Sequence, residues 1–310
     1  MVFDQAPPLP AFIAERFPYR RRLYQLETGT YAGRGLHFVD HGDEDARPVV
    51  LFHGNPTWSF LWRKVIARLR SYRCIAPDML GLGLSDTLPA LDDHRLAAHA
   101  DAMAELLEAL DVRDAIFVCQ DWGGPVSTAT ARRIPDRVAG FVVANTAIAL
   151  PSTPRGTKFH QFARTPVVSD VAFRVLGFPL RTLGKVQADP SSIAGDVARA
   201  YWWPLRRRAD RIAPLALARM VPDSEAHPDL PEMRVAEAWI SNEFRGPMRL
   251  VWGVRDPILG RALKRHEARF PDVPVRRLEA GHFLQEEVPA DLADAVEEVA
   301  LELAGDGSVP

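Results

Sequence analysis

The 310-residue sequence has only two cysteines and no strong excess of charge of either sign. Cys74 and Cys119 both fall in predicted buried strands, so we expect two reduced core residues and no disulfide. The formal net charge of −2 argues against a nucleic-acid partner or an anionic membrane surface. The arginine runs at 20–22 and 206–208 are more typical of solvated faces than of polyanion sites.

The sequence also lacks any apolar stretch approaching the ~20 residues that a membrane-spanning helix needs. Residues 1–5 show no basic region followed by an apolar run, so we expect no signal peptide, no membrane association and a cytoplasmic location. Hydrophobic residues make up 47% and charged residues 25%, as in ordinary globular proteins. The length allows one large domain with an insertion.

Short apolar runs that end in Gly, Asp or Asn alternate with helical patterns, which predicts a mostly parallel sheet. The rhythm breaks between 147 and 245, where prolines, paired tryptophans and helical signals replace the strand pattern. We therefore predict a doubly wound α/β core with a helical cap inserted after the sixth strand. The core covers residues 1–146 and 246–310, and the cap covers 147–245. The strands are predicted at 48–52, 73–76, 115–119, 138–144, 248–252 and 275–278.

The segment 118–124 (VCQDWGG) has the pattern small-x-nucleophile-x-Gly of a nucleophile elbow, a sharp turn between a buried strand and a helix. Asp121 occupies the nucleophile position. A carboxylate is already charged at neutral pH, so it can attack a carbon that bears a leaving group directly. A base is needed only afterwards, to hydrolyse the resulting ester. Aspartate is also a common N-cap of helices, so the motif needs support from the rest of the chain.

That support comes from chain order. Asp121, Asp256 and His282 each follow a predicted strand, in the order nucleophile, acid, histidine of the α/β-hydrolase fold. The carboxyl ends of parallel strands meet at one edge of the sheet, where ligands bind. We predict His282 as the general base and Asp256 as the acid that orients it. Asp256 precedes a proline, so a simple turn role is the alternative for that residue.

The loop after the first apolar strand, residues 53–56 (HGNP), predicts the other half of the site. The backbone N–H groups of Asn55 and Trp122 are expected to form an oxyanion hole. Their side chains carry an amide NH₂ and an indole N–H, which are neutral donors suited to a leaving anion. A turn role for Asn55 and core packing for Trp122 are the alternatives. His53 is interpreted as structural.

Three motifs closely resemble the haloalkane dehalogenases, namely residues 53–63 (HGNPTWSFLWR), 120–125 (QDWGGP) and 281–283 (GHF). The likeness extends from about residue 36 to 303 and is weakest in the cap. It implies an α/β-hydrolase fold, with a mostly parallel twisted sheet flanked by helices.

The resemblance also implies a reaction. Asp121 would displace halide from a saturated carbon and form an alkyl-enzyme ester, while Asn55 and Trp122 hold the halide ion. His282 would then activate the water that releases the alcohol. The expected substrate is a small apolar haloalkane or similar compound, with no cofactor and no metal. Asn145 stands where some members carry the triad acid, and this also assigns that role to Asp256.

Other functions remain open on the sequence. A β-lactone decarboxylase of olefin biosynthesis would use the same five residues on a long-chain lactone. Epoxide hydrolases typically use two cap tyrosines, and Tyr201 is the only tyrosine in the predicted cap. Fluoroacetate-type dehalogenases usually carry Arg in place of Trp122, and a serine esterase is disfavoured by Asp121. A non-catalytic binding protein is the reading from a different class. The cap residues Trp202 and Trp203 are more typical of packing than of halide binding.

Overall fold

The computed structural model describes residues 2–3 and 6–306. In this part of the chain, nine strands form one twisted sheet in the order β1-β2-β3-β5-β4-β6-β7-β8-β9. The first four strands in that order pair antiparallel, and every pair from β5 to β9 is parallel. The strands are β1 Val2–Phe3, β2 Arg21–Gln25, β3 Gly35–His41, β4 Pro48–Phe52, β5 Arg73–Pro77, β6 Ala115–Asp121, β7 Val138–Thr146, β8 Met248–Gly253 and β9 Val275–Leu278.

The central strands are nearly continuous apolar runs because helices cover both faces of the sheet. Every residue of β4 after Pro48 is buried, and so are the first six residues of β6. β4 and β9 have the predicted bounds, and the other four predicted strands extend one or two residues further at their carboxyl ends. The α/β-hydrolase prediction is confirmed, with the parallel strands delivering their carboxyl ends to one edge.

The three antiparallel strands at the sheet edge lay outside the predicted strand list. β2 reads RRLYQ, and only one of its five residues is buried, so its apolar signal is weak. The helical insertion follows β7, which is the seventh strand when the two-residue β1 is counted and the sixth when it is left out.

The α-helices flank this sheet and fill the insertion. The long ones are α3, α4, α9 and α12, and the last of these packs on β7 and β8. They are α1 Ala11–Ala14, α2 Arg63–Ile66, α3 Leu96–Ala109, α4 Gly123–Arg133, α5 Lys158–Ala163, α6 Val168–Asp170, α7 Gly195–Trp202, α8 Ala213–Met220, α9 Leu230–Asn242, α10 Leu263–Arg269, α11 Leu284–Glu287 and α12 Pro289–Asp306.

Residues 147–245, all of which are described, contain the helices α5–α9 and several short 3₁₀ and π turns but no strand. They have a small apolar cluster of their own, separate from the two clusters that cover the sheet. Its buried members are Ala163, Phe173, Leu215 and Ala218. The division into core and cap stays a prediction, and this separate cluster is the feature that favours it.

Cys74 and Cys119 are both free and buried, as predicted. Within the described ranges, no helix combines the length and the apolar character needed to cross a membrane. The same residues contain no group of three or more His, Cys, Asp or Glu side chains arranged to hold a metal ion.

Candidate active site

Asp121 lies at a sharp turn between β6 and α4. It is the last residue of the strand and has φ +51°, a backbone conformation that non-glycine residues rarely adopt. Two residues later α4 begins at Gly123, where an added Cβ would lie 2.1 Å from the carbonyl oxygen of Phe52. Only glycine therefore allows the helix to approach β4 this closely. This strained turn is the geometry expected of a nucleophile elbow.

The Asp121 carboxylate is held by backbone donors. Its Oδ1 accepts a hydrogen bond from the N–H of Asn55 at 2.8 Å, and the Trp122 N–H also stabilises the charged form. Burial raises the pKa of Asp121 above the usual aspartate value, and these donors together with His282 offset only part of that effect. The two backbone N–H groups are the pair that the sequence predicted as an oxyanion hole.

His282 lies between the two carboxylates. Its Nδ1 is 2.9 Å from Oδ2 of Asp256, and its Nε2 is 3.7 Å from Oδ2 of Asp121. Burial disfavours the charged imidazolium, but the neighbouring Asp256 and Asp121 outweigh burial and raise the pKa of His282. With Nδ1–H donating to Asp256, the Nε2 lone pair is directed toward Asp121.

Asp256 lies in the turn after β8, where its side chain is almost fully buried. Burial opposes its charged form, but His282, Asn145 and the Ile258 N–H together lower the pKa of Asp256. Its Oδ2 accepts from Asn145 Nδ2 at 2.7 Å, and its Oδ1 accepts from Ile258 N at 2.7 Å. The carboxylate is thus kept ionised beside the histidine.

Asn145 is a residue whose contribution the sequence reasoning missed. Its Nδ2 also donates to Gly253 O at 3.1 Å, and its Oδ1 accepts from Gly253 N at 2.7 Å. It therefore ties the turn that carries Asp256 to the end of β7. Its position at the end of a predicted strand was the available signal, although at the level of sequence Asn145 stood out only as a residue that cannot serve as the triad acid.

Gln120 is a second missed residue. It is fully buried, and its Nε2 lies 3.2 Å from Nε2 of His282 and 3.1 Å from the His282 carbonyl oxygen. An amide N–H can donate to the imidazole Nε2 only when that nitrogen carries a lone pair. The contact thus favours the tautomer in which the proton is on Nδ1, which is the form that can act as a base.

Asn55 and Trp122, whose backbone N–H groups stabilise the Asp121 carboxylate, also carry side-chain donors. Asn55 Nδ2 donates one hydrogen to Pro214 O at 2.9 Å, which leaves its second amide hydrogen for a ligand. Trp122 is 6% exposed, and no group in the described part of the chain accepts a hydrogen bond from its indole N–H. Both side chains can therefore offer a neutral donor to an anion.

His53 makes the contacts of a structural histidine. Its Nε2 accepts a hydrogen bond from the Met79 N–H at 3.0 Å, and its Nδ1 lies 3.0 Å from the carbonyl oxygen of Gly54. Burial lowers its pKa, so it stays neutral. These contacts fit the sequence interpretation.

The aromatic residues of α7 make contacts of their own. The Trp202 ring contacts the guanidinium groups of Arg181 and Arg211, each 4.4 Å from the ring centre. Trp203 carries the guanidinium of Arg206 at 4.2 Å. These contacts match the packing role expected for both tryptophans.

Tyr201 is 1% exposed and donates its hydroxyl hydrogen to Glu286 Oε1 at 2.6 Å. Its hydroxyl is therefore already engaged and faces a buried ion pair between Glu286 and Arg63. Because Tyr201 is the one tyrosine in residues 147–245, this contact leaves no free tyrosine hydroxyl in the predicted cap for opening an epoxide.

The fold and this site define an α/β hydrolase with aspartate in the nucleophile position. Residues 47–173 match the family model described as alpha/beta hydrolase fold.

Full-length comparisons narrow the class. The chain is 33% identical to a haloalkane dehalogenase of Mycolicibacterium paratuberculosis, over 84% of this chain and 86% of the relative. It is 32% identical to haloalkane dehalogenase 2 of Mycobacterium tuberculosis, over 90% of this chain and 94% of that protein. The structure of haloalkane dehalogenase DpaA from Paraglaciecola agarilytica NO2 superposes with a TM-score of 0.80 at 26% identity, covering 94% of this chain and 98% of that one. The chain belongs to the haloalkane dehalogenase family, whose members are hydrolases acting on carbon–halide bonds.

Proposed function

We propose that this protein hydrolyses haloalkanes to an alcohol and a halide ion. In the first step, Oδ2 of Asp121 attacks the carbon that bears the halogen. A carbon–oxygen bond forms while the carbon–halogen bond breaks, and the halide departs with the bonding electrons. The second amide hydrogen of Asn55 and the indole N–H of Trp122 receive it, and neutral donors do this without pairing with the nucleophile.

In the second step, His282 Nε2 takes a proton from a water molecule, and the resulting hydroxide adds to the carboxyl carbon of Asp121. The negative charge develops on Oδ1, which already accepts the Asn55 N–H. Collapse of this tetrahedral intermediate breaks the bond to the alkyl oxygen. The alkoxide takes the proton from His282 and leaves as the alcohol. Asp121 is left as a carboxylic acid, and it releases its proton to solvent, which restores the carboxylate for the next turnover. Asp256 stabilises the transient imidazolium.

The observation that carries this proposal is the position of His282 between the two carboxylates. Its Nδ1 lies 2.9 Å from Oδ2 of Asp256, whereas its Nε2 lies 3.7 Å from Oδ2 of Asp121. The histidine is therefore paired with the acid and spaced from the nucleophile. Such an arrangement suits a base that acts through water on an ester of Asp121.

The proposal also assigns different roles to two parts of the chain. The core, residues 1–146 and 246–310, carries the catalytic residues, and the cap, residues 147–245, covers them. Backbone carbonyls of the cap accept hydrogen bonds from core side chains. Pro214 O accepts from Asn55 Nδ2 in the site, and Ala200 O accepts from Trp58 Nε1. We therefore assign the cap the role of covering the nucleophile and shaping a pocket for a small apolar substrate.

Halide release tests the proposal directly. Bromo- and chloroalkanes of short and long chain are offered to the wild-type protein and to Asp121→Ala, with Asp136→Ala as a control at an exposed aspartate. Bromide release by wild type and by the control, and its loss in Asp121→Ala, is the expected result. Release that survives in Asp121→Ala would refute the proposal.

A long-chain β-lactone belongs in the same panel because that substrate would use the same residues. Alkene formation from the lactone, without halide release from any haloalkane, would contradict dehalogenation and assign the site to decarboxylation.

A further inference from the structure

The loop that carries His282 is held by a segment of the predicted cap. The His282 N–H donates to the carbonyl oxygen of Val186 at 3.0 Å. The next residue, Phe283, is held on both sides by one amide, since its N–H donates to Gln187 Oε1 at 2.8 Å and its carbonyl oxygen accepts from Gln187 Nε2 at 3.1 Å. Gln187 is 8% exposed, so these hydrogen bonds are shielded from water.

The two segments approach so closely that one position must be glycine. A Cβ added to Gly281 would lie 2.4 Å from the Cα of Gln187 and 2.5 Å from the carbonyl oxygen of Val186. Such distances leave no room for any side chain. The contact is therefore built into the backbone on both sides.

A carboxylate links the same two segments. Glu287 accepts the N–H of Gly281 at 2.6 Å through one oxygen and the N–H of Asp189 at 2.5 Å through the other. The residues before and after Gln187 thus share the restraint. Val186 contributes only its backbone carbonyl and Glu287 binds Gly281, whereas the Gln187 side-chain amide hydrogen-bonds to the backbone of Phe283, directly after the histidine.

We infer that Gln187 is a positioning residue that fixes the His282 loop for ester hydrolysis. This inference rests on the proposed function. His282 Nε2 must stay within reach of a water beside the Asp121 carboxyl carbon, and a shift of ~1 Å in such a group can cost ~10²-fold in rate. Gln187 acts by holding the main chain of the loop, and it touches neither substrate nor the reacting atoms.

A split between the two half-reactions separates this role from general stabilisation. Attack by Asp121 on a haloalkane needs no base, whereas hydrolysis of the ester needs a correctly placed His282. Loss of the Gln187 hydrogen bonds should therefore spare the first turnover of halide and slow all later ones.

Gln187→Met, which keeps the size of the side chain, is the test variant. It removes the two amide hydrogen bonds to Phe283 and a third, from Gln187 Nε2 to Ser192 Oγ at 3.3 Å. Gln161→Met, at an exposed position of α5, is the matched control. With a bromoalkane, we expect the rate of the bromide burst within about twofold of wild type and steady-state release reduced about 10–100-fold. Alkylated enzyme should accumulate in mass spectra of Gln187→Met only. Equal losses in burst and steady state, or no loss in either, would overturn the inference.

A readout without substrate keeps the inference testable if the proposed function fails. The proton on Nδ1 of His282, bonded to Asp256, is observable as a downfield NMR signal. We expect faster exchange of this proton with water in Gln187→Met than in wild type, and an unchanged rate in Gln161→Met. An unchanged rate in Gln187→Met would refute the positioning role whatever the substrate is. If Gln187→Met does not fold, Gln187→Glu, which keeps the acceptor for Phe283, replaces it in both measurements.

Discussion

Asp256→Asn keeps the shape of the side chain but replaces one carboxylate oxygen by an amide NH₂. In the native turn, Oδ2 accepts from His282 at 2.9 Å and from Asn145 at 2.7 Å, and Oδ1 accepts from the Ile258 N–H at 2.7 Å. All three partners are donors, so neither orientation of an amide satisfies them. With its NH₂ toward His282, the amide would also force the imidazole into the tautomer that carries the proton on Nε2.

A histidine protonated on Nε2 cannot take a proton from water. A positioned base contributes ~10²–10⁴-fold to its step, and loss of the correct tautomer forfeits most of that. We therefore expect kcat of Asp256→Asn to fall about 10²–10⁴-fold, or about 3–5 kcal/mol of transition-state stabilisation. Because Asp121 needs no base for its attack, the first-turnover halide burst should stay within about threefold of wild type.

Rapid-quench measurement of bromide release resolves the burst and the steady state in one experiment. Asp272→Asn, at an exposed turn position, controls for the substitution itself. If kcat of Asp256→Asn remained within about tenfold of wild type, the base would not depend on this carboxylate and the assignment of Asp256 as the acid would fail.

Two further predictions concern pH. The base His282 must be unprotonated to act, and its pKa is raised above the ordinary 6.5. We therefore expect kcat to fall as the pH drops, with the acid limb of the steady-state pH profile above pH 6.5. An acid limb below pH 6.5 would contradict the account. His266 is fully buried, accepts the N–H groups of Ile148 and Ala149, and has its pKa lowered to about 4. A histidine whose pKa is lowered by folding stabilises the protein at pH values above its pKa in the unfolded chain. This contribution is lost as the pH falls toward its pKa in the folded protein, and the loss is about 2 kcal/mol at pH 5. Urea unfolding at pH 7 and pH 5 should show His266→Gln losing about 2 kcal/mol less than wild type, and equal losses would refute this assignment.

The elbow and the strand ends were predictable because each depends on local sequence. Apolar runs fixed the parallel strands to within two residues at their carboxyl ends. Once these strands are parallel and adjacent, their ends converge, so Asp121, Asp256 and His282 meet at one edge. β2 was not predictable in this way, because a polar, half-exposed strand near the sheet edge carries little apolar periodicity.

The supporting contacts of the site could not be read from the sequence for a different reason. Asn145 reaches Asp256 because β7 lies beside β8 in the sheet, and strand order is a property of the whole fold. Gln187 and Phe283 are 96 residues apart in the chain. A single buried amide that hydrogen-bonds to backbone far away in the chain produces no periodic pattern in the sequence, so only the folded structure reveals it.

The central claim is that Asp121 forms a covalent ester that His282 resolves. It is tested most directly by intact-protein and peptide mass spectrometry of His282→Phe after incubation with a bromoalkane. The account predicts one alkyl group per chain, located on Asp121, one equivalent of bromide released, and no adduct in the double variant that also carries Asp121→Asn. An unmodified His282→Phe protein that still turns over substrate, or an adduct on another residue, would contradict it.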